Sequence, residues 1–144
     1  LVCYRAEAPE HYRNAQEAAW DPCIMWAGKR FGSPIHTTTG LAPLTQDTSL
    51  HDAIATHVHN MTDVDFIALY LVTLGAGSVL LALAFVEEAL PMEAILNAAF
   101  AEEHLKDKIY LSDVYGSAPD QEKRYKALEA QLAVLQRLRE LLSQ

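Results

Sequence analysis

The stretch DFIALYLVTLGAGSVLLALAFVEEAL, residues 65–90, decides the fold, because residues 66–86 run without one formal charge. A transmembrane helix needs roughly 20 mostly apolar residues, so length alone admits a membrane span. The interior argues otherwise. Gly75, Gly77 and Ser78 stand at the midpoint, where Gly-Ala-Gly-Ser reads as a helix stop followed by a restart. Split there, residues 65–74 and 78–90 become two helices of ordinary globular length. The flanks agree: Asp63, Asp65, Glu87 and Glu88 bracket the run, whereas a spanning helix is normally flanked by Lys or Arg on its cytoplasmic side and by aromatic anchors. The expectation is a helical hairpin buried on most sides, with no membrane span.

A chain of 144 residues is most simply one domain with a substantial core. Its 19 Asp and Glu against 11 Lys and Arg give a formal charge of −8. That argues against nucleic acid as the main ligand, since phosphate binding needs concentrated cations, and favours basic partners. Cys3 and Cys23 are the only thiols. With no CxxC pair and no zinc-type spacing, they are expected reduced and partly buried.

Along the chain, Pro9 suits the first turn of a helix running to about Ala19. Asp21-Pro22 then supplies an N-cap and a first-turn Pro for a second helix ending near Gly32. Trp20 and Trp26 need not share a helix face, and they are assigned to core or interhelix packing. Residues 32–43, GSPIHTTTGLAP, read as an extended connection with room for a short strand through residues 35–38. Helical patterning resumes at Asp47-Thr48-Ser49 and carries Leu50, Ile54 and Val58 on one side. Thr62 caps the helix that enters the opening stretch. Leu90-Pro91 breaks the chain and starts a helix marked by Ile95, Leu96, Ala99, Phe100 and Leu105. After a YGSAPD turn, Tyr125, Leu128, Leu132, Leu135, Leu138 and Leu142 define a final amphipathic helix of nearly coiled-coil spacing. The class is all-α: six or seven helices in an orthogonal, irregular bundle around the buried hairpin.

Motifs for chemistry are sparse. Gly75-Ala76-Gly77 is a fragment of a dinucleotide fingerprint without its strand or third Gly, and no GxxxxGK loop occurs. Glu87, Glu88, Glu102, Glu103 and His104 invite a carboxylate-metal bundle, which needs Glu-x-x-His pairs; Ala101 stands three before His104. His51, His57 and His59 have no partner at metal-ligand spacing. No nucleophile elbow, catalytic Cys signature or kinase set is present. Neither a cofactor nor a metal nor an enzymatic activity is expected. The alternatives kept open are a membrane-associated helical protein and a carboxylate-metal helical-bundle enzyme.

More informative is an ordered set of short signatures: VCYRAEAPE (2–10), WDPCIMWAGKRFG (20–32), TTTGLAP (37–43), LVTLGAGSVLLALAFVEE (71–88) and AFAEEHLKDK (99–108). Together they resemble the α-helical carboxy-terminal domain of the assembly chaperone for the catalytic sector of F-type ATP synthase, the one that handles the α subunit. The resemblance covers residues 1–116. The family normally carries a β-rich amino-terminal domain before this one, so the chain is expected to begin near the domain boundary. Where the family continues with Gln-x-x-Trp-Gly, this sequence has HLKDKIYLSDVYG, and residues 117–144 form a divergent amphipathic helix.

The resemblance implies an ATP-independent chaperone that holds the unassembled α subunit and prevents its aggregation before α/β assembly. Its place would be the mitochondrial matrix of a eukaryote or the cytoplasm of a bacterium. The family's important acidic residue falls on Glu102–Glu103, with Glu103 favoured and Glu102 the alternative. The plainer reading is an acidic pair that solvates a helix face, the common fate of exposed Glu. Tyr4, Arg5, Trp20 and Trp26 are candidates for supporting packing or anchoring the partner.

Overall fold

In the computed structural model, which describes residues 1–109 and 119–144, the stop and restart at the midpoint of the opening stretch are plain. Helix α3 (Asp63–Ala76) ends on Gly77, which adopts the left-handed φ of 69° and donates its amide to Thr73 O at 3.0 Å. Helix α4 (Val79–Val86) begins at once, with Ser78 Oγ accepting from the Leu81 amide at 3.3 Å. The remaining described helices are α1 (Glu10–Phe31), α2 (Thr48–His59), α5 (Met92–Ala99), α6 (Ala101–Ile109) and α7 (Pro119–Leu142). The fold is all-α, as expected, and no strand occurs among the described residues.

Helix α4 is the centre. Every residue from Leu80 to Val86 is buried. A helix apolar on all sides has to be enclosed on all sides, and α3, α1 and α5 all pack against it. Each Leu, Val or Phe fully withdrawn from water contributes about 1.5–3 kcal/mol. The helix ends with the uncharged run at Val86 and not at Leu90, the expected end of the second helix. Glu88 takes a left-handed φ of 56°, the Glu88 amide bonds Phe85 O at 3.1 Å, and the Ala89 amide bonds Ala84 O at 2.8 Å. That is the paired 5→2 and 6→1 closure of a Schellman turn, with Glu where Gly is usual.

The two midpoint glycines do different work. Nothing lies within 4 Å of a side chain built on Gly77, so its requirement is backbone conformation and not space. Gly75, inside α3, is a close approach: a Cβ there would stand 2.8 Å from Leu128 Cδ1 and 2.9 Å from Gln131 Oε1 of α7.

Two expected boundaries are corrected. Helix α1 runs unbroken through Trp20-Asp21-Pro22, although an interior Pro costs about 3 kcal/mol. Gln16, Trp20, Cys23, Ala27 and Phe31 are all buried along it. Their 4-3-4-4 spacing is the face of a single helix, and burying that face outweighs the lost hydrogen bond. Asp21 is therefore not an N-cap; its carboxylate accepts from Arg5 Nη2 at 2.8 Å. The single helix expected after Pro91 is two, α5 and α6, parted at Phe100 (φ −111°, ψ 17°), whose ring is buried and meets Tyr125 edge-on at 5.2 Å.

The expectations for α2 and for the start of α3 stand. Leu50 is buried on α2, with Ile54 and Val58 packed against the core, and Thr62 Oγ1 accepts from the Asp65 amide at 3.2 Å. Residues 35–38 form no strand, only one isolated bridge between Tyr4 and Thr38. Leu128, Leu132 and Leu135 of α7 are buried while Leu138 and Leu142 are exposed. Residues 115–118 of the YGSAPD turn lie outside the described residues. Among those residues no helix is long and apolar enough to cross a membrane.

Gly77 and Glu88, both left-handed, predict stability changes of opposite sign. Gly77→Ala should lose about 1–2 kcal/mol, the penalty for a Cβ in that region. Glu88→Gly should gain about 0.5–1 kcal/mol, the same relief less the entropy of a freer unfolded chain. Its exposed contact with Arg139 at 4.0 Å contributes almost nothing against this. Urea titration of both variants checks the pair, and changes of the same sign would refute it.

Candidate partner-binding surface

The break at Phe100 places Glu102 and Glu103 in the first turn of α6, where the exposed amides of a helix start favour negative charge. They point to different neighbours. Glu102 Oε1 accepts from Gln16 Nε2 on α1 at 3.3 Å, and Glu103 Oε1 lies 3.7 Å from Arg124 Nη2 on α7. Both are half-buried. Desolvation, and then the charges of Glu102 and Glu103, push the nearby Tyr12 hydroxyl above its ordinary pKa. The pair is thus a negative corner shared by three helices.

Arg5 and Trp20 join this corner from beneath. Arg5 is buried, donating Nη1 to Gln16 O at 2.9 Å and Nη2 to Asp21, with its guanidinium 5.1 Å from the centre of the Trp20 ring. Trp20 is wholly buried and donates Nε1 to Ala98 O at 2.8 Å. Gln16 completes the link: its Oε1 accepts from the Ala6 amide at 2.7 Å while its Nε2 reaches Glu102. Of the six residues singled out from sequence, the structure brings Arg5, Trp20, Glu102 and Glu103 into one continuous region. Tyr4 and Trp26 stand apart from it. Tyr4 is exposed, and its hydroxyl accepts from the Leu44 amide at 2.9 Å; Trp26 is partly buried, edge-on to Phe31 at 6.1 Å.

The sequence reading missed an apolar face. Helix α3 buries Ala68, Leu69, Val72 and Ala76, yet leaves Phe66, Ile67, Tyr70 and Leu74 exposed by 49, 54, 57 and 66 %. The signal was available: α3 is apolar well beyond the one stripe that a packed surface helix needs. A contiguous exposed patch of this kind marks an interaction surface far more often than a single exposed Leu does. Arg124 links the two features, facing Glu103 on one side and lining, with Leu71, Leu74 and Ala127, the cleft between α3 and α7 on the other.

No protein-family model matches the sequence. Solved structures do match. Atp12 from Paracoccus denitrificans superposes with a TM-score of 0.80 at 24% identity, covering 94% of this chain and 56% of that one. A mutant form of the same protein gives 0.81. The chain has the Atp12 fold. The Atu1473 protein of Agrobacterium tumefaciens gives 0.77 at 28% identity over 96% of this chain and 52% of its own. The family resemblance carried by the ordered signatures is therefore present in three dimensions, and the chain spans just over half the length of the Atp12 structures it matches. Among the described residues no group of three or more His, Cys, Asp or Glu side chains is placed to hold a metal ion.

Two tests follow from the buried corner. Removing the Asp21 carboxylate leaves a buried guanidinium short of a partner, so Asp21→Ala should cost about 1–3 kcal/mol. Asp21→Ala in an Arg5→Met background should cost clearly less, and equal losses in both backgrounds would show the ion pair to be inert. Next to it, burial, and then the neighbouring Cys3, push the Cys23 thiol from 9.0 up to about 12. Folding favours the neutral thiol, so this stabilisation is fully present below pH 9 and is lost as pH rises from about 9 towards 12. Cys23 should resist alkylation at pH 8 until the chain unfolds, and labelling at the native rate of an exposed thiol would contradict its placement.

Proposed function

We propose that the chain is an assembly chaperone for the catalytic sector of F-type ATP synthase, holding the unassembled α subunit and keeping it from aggregating before it meets its β partner. The observation that carries this reading is the Atp12 fold across 94% of the chain, Atp12 being a chaperone of that sector's assembly. The exposed face of α3 supports it, because a holding chaperone needs apolar surface to lay over the apolar surface its client will later bury. Glu103 supplies register: its carboxylate holds Arg124 only loosely, at 3.7 Å with Arg124 largely in solvent, and exposed pairs of this kind exchange at little cost. A basic group on the client replaces Arg124 there, and Arg5, Trp20 and Gln16 keep the corner in shape. The site of action is the mitochondrial matrix of a eukaryote or the cytoplasm of a bacterium, wherever the α subunit awaits assembly.

The test compares suppression of α-subunit aggregation with melting temperature for the unaltered chain, Glu103→Lys and the control Glu93→Lys at the start of α5. Reversal at Glu103 puts a cation opposite the client's basic group, and like charges across a contact weaken binding strongly. The Glu103 variant should melt normally yet need about tenfold more chaperone for half-protection, a loss near 1.4 kcal/mol. Equal protection by all three chains would remove Glu103 from the contact, and no protection by the unaltered chain would overturn the function itself.

A further inference from the structure

Helices α3 and α7 run antiparallel, pinned at two places: Gly75 lies against Leu128 and Gln131, and Asp65 Oδ1 takes Arg139 Nε at 3.0 Å. Between them the surface opens into a cleft of about 420 Å³, walled by Leu71 and Leu74 on one side and by Ala127 and Gln131 on the other. On α7 the series Ala127, Gln131, Val134, Leu138, Leu141 advances by 4-3-4-3, and on α3 Ile67, Leu71, Leu74 advances by 4-3. Residues so spaced share one side of a helix. The alternation of 4 and 3 is the seam that receives the knobs of another helix. No helix of the described chain receives it: Val134 and Leu138 are exposed by 66 and 43 %, like Ile67 and Leu74 opposite. From Ala127 to Leu141 the α7 series rises about 21 Å at 1.5 Å per residue, or about four turns.

The charge beside the seam opposes that of the whole molecule. The chain carries −8, yet the charged side chains flanking the seam along α7 are Lys123, Arg124 and Arg137. Glu122, Glu129 and Glu140 fall roughly on the far side of the helix at 100° per residue. Asp120 and Asp63 are the acids in the same sectors, and they stand at the first turns of α7 and α3, at opposite ends of the cleft. The ion pairs of Arg124 and Arg137 are exposed, with Glu103 at 3.7 Å and Glu140 at 3.2 Å, and the Arg124 guanidinium also lies 5.6 Å from the centre of the Phe100 ring.

We propose that the α3–α7 groove takes an amphipathic helix of a partner protein, about four turns long, with an apolar 4-3 seam flanked by carboxylates. Apolar anchors at that spacing are how a helix seats in a groove, and flanking acids would pair with the cationic rim and set direction. This inference goes beyond the client assigned above and stands without it.

The test uses the 144-residue chain and fluorescence anisotropy with three synthetic helical peptides: a Leu seam flanked by Glu, the same seam flanked by Lys, and the Glu peptide with its Leu positions scrambled. The Glu-flanked peptide should bind at least tenfold tighter than either other, with the gap over the Lys peptide shrinking as salt is raised. Leu74→Glu and Val134→Glu, each at an exposed position, should each weaken that binding at least tenfold without lowering the melting temperature, while Glu93→Lys leaves it unchanged. Equal binding of the Glu and Lys peptides, or binding untouched by both groove variants, would overturn the proposal. So would sedimentation showing a dimer that Leu74→Glu splits, because the groove would then belong to a second copy of the chain. No α subunit enters this measurement, so its failure leaves the assembly reading standing, and failure to protect the α subunit leaves the groove result intact.

Discussion

The enclosure of α4 is the constraint on which the remaining structure depends. Seven consecutive residues, Leu80 to Val86, have no exposed side, so their helix has to end in backbone turns that water does not serve and be covered from every direction. Both ends are closed locally, by Ser78 at the start and by the Glu87–Glu88–Ala89 turn at the finish. The cover comes from α1, α3 and α5. Helix α7 is tied to the same centre through Arg139, which bonds Val86 O and Asp65 at once. That one guanidinium satisfies a terminal carbonyl of α4 and fixes α7 along α3, so α7 is structurally part of the bundle.

Local signals were legible where a backbone rule acts alone. Gly-Ala-Gly-Ser had to stop and restart a helix, Thr62 had to cap, and Leu50 had to face inward, because each depends on a few neighbouring residues. The sequence misled where tertiary burial outweighed such a rule. Asp21-Pro22 has the form of a helix start, but the buried 4-3-4-4 stripe from Gln16 to Phe31 requires an uninterrupted helix, and burial of several large side chains exceeds the cost of one Pro. Phe100 shows the converse. Periodicity carries smoothly across it, yet its buried ring against Tyr125 turns the chain where no Gly or Pro announces a break.

The candidate surface was partly legible for the same reason. Ordered motifs pointed to Glu102, Glu103, Arg5 and Trp20, and Gln16, a residue with no motif of its own, joins Arg5 and its Trp20 ring to Glu102, while Glu103 turns to Arg124. Its 2% exposure explains its importance: a buried amide must satisfy its donors and its acceptor, and it does so by joining the amino-terminal segment, α1 and α6. The exposed face of α3 was hidden in the opposite way. An uncharged run reads as interior from end to end, and only the packed structure shows that α4 buries every residue from Leu80 to Val86 while α3 buries about half of its apolar side chains.

That inequality gives the hairpin its two roles. The same uncharged segment that builds the core overshoots it, and apart from Val79 at the start of α4 the overshoot lies on α3, beside a rim of cations. Water-exposed apolar surface of this extent invites self-association unless repulsion opposes it. A net charge of −8 provides that repulsion between copies, while the local excess of Lys123, Arg124 and Arg137 beside the groove leaves a partner of opposite charge unopposed. Global charge and local charge thus act on different encounters: the first discourages a second copy of the chain, and the second admits a complementary helix. Arg124 is where the two meet. It belongs to the groove by position and to Glu103 by charge, so a ligand that engages either side changes the electrostatic setting of the other.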